Sequence, residues 1–172
     1  MQFRGDGLVL RAFTPADAPN IAAACRDADI ARFIPLIPSP YTEEDARQYV
    51  DMVSSWDAGE RRAFAIADDE SGELLGSIDV RLGEIGSIGY WVAPAARGQG
   101  VATRALRLVS RWAVREQGVE RLELTTHPEN IASQRVAEKA GFQREGVLRA
   151  HTRFSDGRRD SVMFSLLPGD LS

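Results

Sequence analysis

Gly86-Ser87-Ile88-Gly89-Tyr90-Trp91-Val92-Ala93-Pro94-Ala95-Ala96-Arg97-Gly98-Gln99-Gly100-Val101-Ala102-Thr103 opens a stretch that runs on to Trp112 and organises the whole chain. Ile88, Tyr90 and Val92 alternate with Gly89 and Trp91, the period of a strand over about 86–93. Pro94 has no N–H to give a ladder and ends it. Gly98 and Gly100 make a tight loop. From Thr103 the period becomes helical, with Ala102, Leu106, Val109 and Ala113 on one face and Gly118 as the expected stop. A strand feeds a glycine loop, and the loop feeds a helix N-terminus.

That order of elements makes an anion site. The first N–H groups of a helix have no internal acceptor, and the helix dipole adds partial positive charge there. Glycines admit a phosphate close to the backbone, and Arg97 offers a charged clamp beside the amides. A nucleotide-hydrolysing loop needs Gly-Lys-Ser/Thr at its end, and here Gly100 is followed by Val101-Ala102-Thr103. A dinucleotide fingerprint needs a third Gly or Ala where Thr103 stands.

Arg97-Gly98-Gln99-Gly100-Val101-Ala102 matches Arg/Gln-x-x-Gly-x-Gly/Ala. With Gly89-Tyr90-Trp91-Val92 before it, and Asn130-Ile131-Ala132-Ser133, Ala140-Gly141-Phe142 and Glu145-Gly146 after it, the chain resembles the GCN5-related N-acetyltransferases (GNAT), in particular the RimJ/RimL-type branch that acetylates ribosomal proteins. The resemblance covers nearly the whole chain. It implies an α/β GNAT fold: a mixed, mostly antiparallel central sheet with one splayed parallel strand pair, flanked by helices.

Working outward, 172 residues are expected to form a single domain over 1–172 with a core of its own. Apolar content of 44% and charged content of 27% describe an ordinary soluble globule. A net charge of −4 makes no case for nucleic acid as a partner. No apolar run approaches membrane length, and the first six residues do not read as a signal peptide. Cys25 is the single cysteine, which excludes an internal disulfide and suits a reducing cytoplasm, the expected location.

Leu8–Ala12 reads as the first strand. Thr14-Pro15-Ala16-Asp17 starts a helix expected to reach about Asp27. Three prolines between Ile34 and Tyr41 exclude regular helix there. Thr42-Glu43-Glu44-Asp45 opens a second helix whose stripe of Ala46, Tyr49, Val50, Val53 and Trp56 is assigned to core packing, with Gly59 as its end. Strands follow at about 63–67 and 74–81, joined by tight turns and therefore antiparallel. After the loop helix come a strand at 122–126, parallel to the strand before the loop, a short helix from Asn130 to Gly141, and a hairpin of about 146–154 and 159–167 around Ser155-Asp156-Gly157.

The resemblance implies acetyl-CoA as co-substrate and a primary amine, of a protein N-terminus or a small molecule, as acceptor. Pyrophosphate would lie on the amides of Gly98, Gln99, Gly100, Val101, Ala102 and Thr103 beside Arg97. The pantetheine arm would pair with backbone at Trp91 and Val92, and the thioester carbonyl would accept an N–H near Val92. In the family, the segment between the first two helices helps wall the acceptor site; a loop packing on the core is the other reading. Asn130 either hydrogen-bonds pantetheine or simply caps its helix. Ser133 stands where many family members carry a tyrosine that protonates the leaving thiolate. A serine hydroxyl is a poor acid, so donation here is assisted or relayed; a first-turn helix residue is the other reading.

Family members often carry Glu two residues before the Gly-Tyr-Trp glycine, and that residue here is Ser87. Glu84 is the candidate base taken with Ser133 as the catalytic pair; Asp79, Glu123 and water-relayed deprotonation without a dedicated base stand beside it. Histidine is the usual proton carrier near neutrality, but neither His127 nor His151 has metal-ligand company, so no metal is expected. A non-catalytic acyl-CoA-binding module, or an enzyme using another donor such as succinyl-CoA, is the alternative. The sequence does not decide the oligomeric state, for which a homodimer is one expectation.

Overall fold

The structure, a computed structural model, describes residues 1–56 and 60–171. Asp6 and Gly7, both with positive φ, fold Gln2–Gly5 (β1) back onto Leu8–Arg11 (β2). The sheet thus begins one strand earlier than the expected first strand. Asp-Gly is a hairpin signal, but Gln2–Gly5 has no run of alternating apolar residues to announce a strand.

Thr14 and Asp17 form a capping box as expected, first around a 3₁₀ turn at Pro15–Asp17 and then into Ala18–Cys25 (α1). The helix expected to reach Asp27 stops at Cys25. Asp27 instead caps a separate helix, Ala28–Phe33 (α2), its Oδ1 accepting the N–H groups of Asp29 and Ile30. A short acceptor side chain competes with the helix ladder, and here it divides one helix into two.

The proline-rich segment after Phe33 is irregular, as expected, and Leu36 takes a positive φ of 58° there. Thr42 and Asp45 cap Glu43–Ser54 (α3). Ala46, Val50 and Val53 are buried, whereas Tyr49 and Trp56 are half-buried. The predicted end of this helix at Gly59 lies outside the described residues.

Arg61–Asp68 (β3), Leu74–Arg81 (β4) and Ile85–Val92 (β5) form an antiparallel meander. After a 3₁₀ turn at Pro94–Ala96, the glycine loop leads into Val101–Arg115 (α4), which begins two residues before the expected Thr103. Its buried face is Val101, Ala105, Leu106, Val109, Trp112 and Ala113, while Ala102, assigned to that face from the sequence, is half-exposed. Gly118 has φ 69° just past the helix end.

Arg121–Thr126 (β6), Ile131–Lys139 (α5), Gln143–Phe154 (β7) and Gly157–Leu166 (β8) complete the chain. β7 starts earlier than expected because Gln143 and Arg144 already pair with β8.

The eight strands run in the order β1-β2-β3-β4-β5-β6-β8-β7, all antiparallel except β5 and β6. One core lies under α4 and α5 around Leu106, Leu122 and Phe164; the other lies under α1, α2 and α3 around Ile21 and Val50. Burying such a side chain stabilises by about 1.5–3 kcal/mol, so each helical layer is held to its own face of the sheet. The parallel pair sits between the two layers. Its ladder has three residue pairs, Ile85 with Arg121, Gly86 with Leu122 and Ser87 with Glu123, and beyond them β5 and β6 part.

Candidate active site at the splayed strand pair

β5 continues from Ile88 to Val92 with β4 on one side and no ladder partner on the side of β6. β4 stays tight against it because residue 76 is glycine: a Cβ there would lie 2.3 Å from the Trp91 carbonyl oxygen. The unpaired backbone edge at Gly89–Val92 therefore faces the gap. The gap opens into a cleft of about 1040 Å³, at the upper end of the range for small-molecule sites.

On the α4–α5 side of the gap, Asn130 Oδ1 accepts the Ser133 N–H at 3.1 Å, so Asn130 caps α5 as the sequence allowed. Only the oxygen is used. Among the described residues no protein acceptor takes its side-chain NH₂, which leaves that donor available to a ligand. Ser133 Oγ lies 2.7 Å from the Tyr90 hydroxyl. Burial pushes the Tyr90 phenol up to about 12, so it stays protonated at neutral pH. Thr126 Oγ1, buried in the same wall, has no protein partner among the described residues.

On the other face, register brings Asp79 opposite Gly89 and Glu123 opposite Ser87. Asp79 leans over the strand: a Cβ on Gly89 would meet its Oδ1 at 3.1 Å. Burial lifts the Asp79 carboxyl above its usual range against the pull of Arg61, whose Nη2 donates to it at 3.1 Å. Arg61 in turn lies 4.0 Å above the Trp56 ring, and the Tyr49 hydroxyl is 2.9 Å from Ser77 Oγ. Tyr49 and Trp56, assigned to the core from helical spacing alone, thus line the cleft. Glu123 also lines it and pairs with Arg121 at 2.9 Å. Glu84 does not: it is exposed in the turn before β5, at the opposite end of that strand from the splay. Of the two residues taken as the catalytic pair, the fold brings Ser133 to the cleft and leaves Glu84 outside it.

The cleft's outer wall is α2 and the proline-rich segment, from Phe33 through Pro38. Phe33 packs on His127 with ring centroids 5.3 Å apart, and Arg32 pairs with Glu129 at 2.5 Å, so α2 is fastened across the β6–α5 connection. Burial lowers the His127 pKa, which keeps the ring neutral at pH 7. His151 lines the far side, with Nδ1 3.2 Å from Ser161 Oγ. Cys25 is buried, with its thiol pushed up to about 12, and is inert.

The glycine loop lies past the end of β5. Gly98 and Gly100 have φ of 74° and 72°, and a Cβ at either would meet nothing within 4 Å. These glycines serve backbone conformation, and the space in front of them is open. Val101, Ala102 and Thr103 are the first three residues of α4, so their N–H groups have no intrahelical acceptor. Gln99 is turned back, its Nε2 donating to the Ala95 carbonyl at 2.9 Å. Arg97 donates to Asp27 Oδ1 at 2.7 Å. The residue expected as a phosphate clamp is therefore tied to the cap of α2.

A sheet with one splayed parallel pair, and a helix N-terminus next to the opening, can be set against known proteins. A family model described as the acetyltransferase (GNAT) domain matches residues 7–143. The chain belongs to the GNAT acetyltransferases. It is thus an acyltransferase of a family that uses acetyl-CoA. It is 27% identical to the ribosomal-protein-serine acetyltransferase of Escherichia coli (strain K12), over 72% of this chain and 71% of that one. A GNAT-family acetyltransferase structure from Bacillus anthracis superposes with a TM-score of 0.86 at 26% identity, covering 97% of this chain and 98% of that one. Mycobacterium smegmatis RimJ, solved with CoA-disulfide, shares the GNAT fold at 23% identity and a TM-score of 0.85, covering 95% and 83%. No group of His, Cys, Asp and Glu among the described residues is arranged to hold a metal ion. No described helix is long and apolar enough to cross a membrane.

Proposed function

We propose that this GNAT enzyme transfers an acetyl group from acetyl-CoA to a primary amine by direct attack in a ternary complex, with a protein N-terminal α-amine as the favoured acceptor. The observation that carries the reading is the break in the β5–β6 ladder after Ser87 and Glu123, with free strand edge on one side and Ser133 on the other. An extended amide-containing arm suits such an edge, since its amides can replace the missing ladder. The open glycine loop and the free N–H groups of Val101, Ala102 and Thr103 suit a pyrophosphate. The NH₂ of Asn130 suits an arm carbonyl.

The acceptor would enter between the α2 wall and the face carrying Asp79 and Glu123. These two acids can receive an ammonium group, but each already holds an arginine. We assign neither as a dedicated base. An α-amine with pKa ~8 is about 10% neutral at pH 7, whereas a lysine at ~10.4 is below about 0.1%. The acceptor's own acidity then supplies what Ser87 does not. The ribosomal-protein-serine acetyltransferase relative supports a protein as acceptor. The test is CoA release with acetyl-CoA and a panel of peptides and small amines. Turnover on N-terminal α-amines supports the reading; acetyl-CoA binding without turnover on any amine overturns it in favour of an acyl-CoA-binding module. A panel run with succinyl-CoA decides the donor.

A further inference from the structure

We infer that Tyr90 is a positioning residue for the leaving group: its hydroxyl donates to Ser133 Oγ, which turns the single hydroxyl hydrogen of Ser133 outward to the sulfur that departs. The inference rests on the proposed acetyl transfer and adds to it the donor unit that lone Ser133 lacks.

The two hydroxyls are 2.7 Å apart across the gap, one on β5 and one on the first turn of α5. A phenol is the stronger acid of such a pair and takes the donor role, so serine accepts. The nearest alternative acceptor for Tyr90 is the Ser133 carbonyl at 3.4 Å, which is far weaker. Ser133 makes no other side-chain hydrogen bond among the described residues. Its own O–H is therefore free, and both residues line the cleft. The helix cap holds the Ser133 backbone in place through Asn130, which keeps the side chain within reach of the phenol.

The chemistry is hydrogen bonding to a thiolate and not its protonation. The amine nitrogen bonds to the carbonyl carbon, the carbon–sulfur bond breaks, and its electron pair leaves on sulfur. The two protons lost by the acceptor ammonium go to solvent, and the thiolate takes one proton from solvent on release. A thiolate whose conjugate thiol has a pKa of ~8.5 is too weak a base to take the proton of a phenol pushed up to about 12, and a serine hydroxyl is weaker still as an acid. What the pair can do is offer one aimed donor where negative charge develops.

Four proteins test this: wild type, Tyr90→Phe, Ser133→Ala and the double variant. If Tyr90 acts through Ser133, each single variant lowers kcat about tenfold with acetyl-CoA affinity within twofold, and the double variant is no slower than Ser133→Ala. Multiplicative losses in the double variant, or Tyr90→Phe with wild-type kcat, overturn the inference while leaving the acetyl-transfer reading intact. Ser133→Ala with wild-type kcat removes Ser133 from that reading as well. A binding measurement adds a readout that a merely structural tyrosine would not move. A donor aimed at the sulfur lowers the thiol pKa of bound CoA, so the affinity of wild type for free CoA rises with pH through the thiol range and bound thiolate absorbs in the ultraviolet. The same affinity slope and absorbance in Tyr90→Phe would refute the inference. Ser133→Thr, which keeps the hydroxyl, should restore most of the rate.

Discussion

The glycine loop takes its chemistry from consecutive residues, Arg97 to Thr103, whereas the cleft beside it draws on side chains spread from Ile21 to Met163. In the loop, the proposed donor contacts rest on the backbone. Two positive-φ glycines and a helix start present N–H groups whatever the distant chain does. In the cleft, the proposed function rests on side chains that meet only because β5 and β6 part, α5 brings Ser133 to Tyr90, and α2 packs over His127. Parts built locally can be recognised in a sequence and broken by one backbone change.

The largest effect that sharpens this contrast is acceptor choice. With no dedicated base, peptide α-amines should exceed lysine side chains by about 10² in kcat/KM at pH 7, the ratio of their neutral fractions. Rates should rise with pH along the acceptor's own titration. Asp79→Asn and Glu123→Gln should each cost less than the ~10² expected of a general base, and Glu84→Gln should cost nothing. A pH profile with an enzyme pKa near 6–7 that disappears in one of these variants would name that residue as the base and break the contrast.

Next in size, Gly100→Asp places a carboxylate in open space at the head of α4. Acetyl-CoA affinity, read by calorimetric titration, should fall at least tenfold, or ~1.4 kcal/mol. Gly100 has φ 72°, and aspartate is among the side chains that tolerate this region best, so the fold should survive. Gly100→Ala controls for strain without charge and should bind far better. Wild-type affinity in folded Gly100→Asp would remove the loop from the donor site.

Arg97→Ala should have a smaller effect. Its partner is Asp27, and the pair is about a third exposed on the arginine side, so loss of stability should stay within the ~0.2–1 kcal/mol of such pairs. Acetyl-CoA affinity should fall less than tenfold. A loss as large as that of Gly100→Asp would mean that Arg97 leaves Asp27 when the donor binds.

The smallest effect is a pH dependence at the sheet edge. The Arg121 guanidinium, with help from Ser165, holds the Glu145 carboxyl down at about 2. A depressed carboxyl stabilises the fold above its unfolded pKa of ~4.3, and that contribution is lost as pH falls toward 2. Thermal melts from pH 5 to pH 2 should show a gentle decline that Glu145→Gln flattens. An identical decline in both proteins would assign it to other carboxylates.

Much of this molecule was legible without coordinates. Strand periods at 74–81 and 86–93, capping signals at Thr14, Thr42 and Asn130, and the glycine loop all depend on neighbours a few residues apart, and all were met. Local competition defeated the reading at Asp27, where a capping side chain split one helix into two. Tyr49 and Trp56 pack against the core as expected, but helical spacing alone could not say that they also line the cleft, because a stripe of apolar residues looks the same whether a sheet or a cleft lies beneath it.

The order of elements, a glycine loop leading into a helix N-terminus and the GNAT resemblance were properties of the sequence itself, because propensity, turn chemistry and glycine freedom act over a single turn of chain. Which acids face the cleft, which hydroxyl meets Ser133 and what Arg97 holds were decided only in the tertiary structure. Strand register sets the first, placing Asp79 and Glu123 on the cleft face and Glu84 beyond its end. The splay sets the second, and the packing of α2 against the loop sets the third. Each is a distance between residues tens of positions apart, and such distances follow from how the layers bury their apolar faces, which no local pattern encodes.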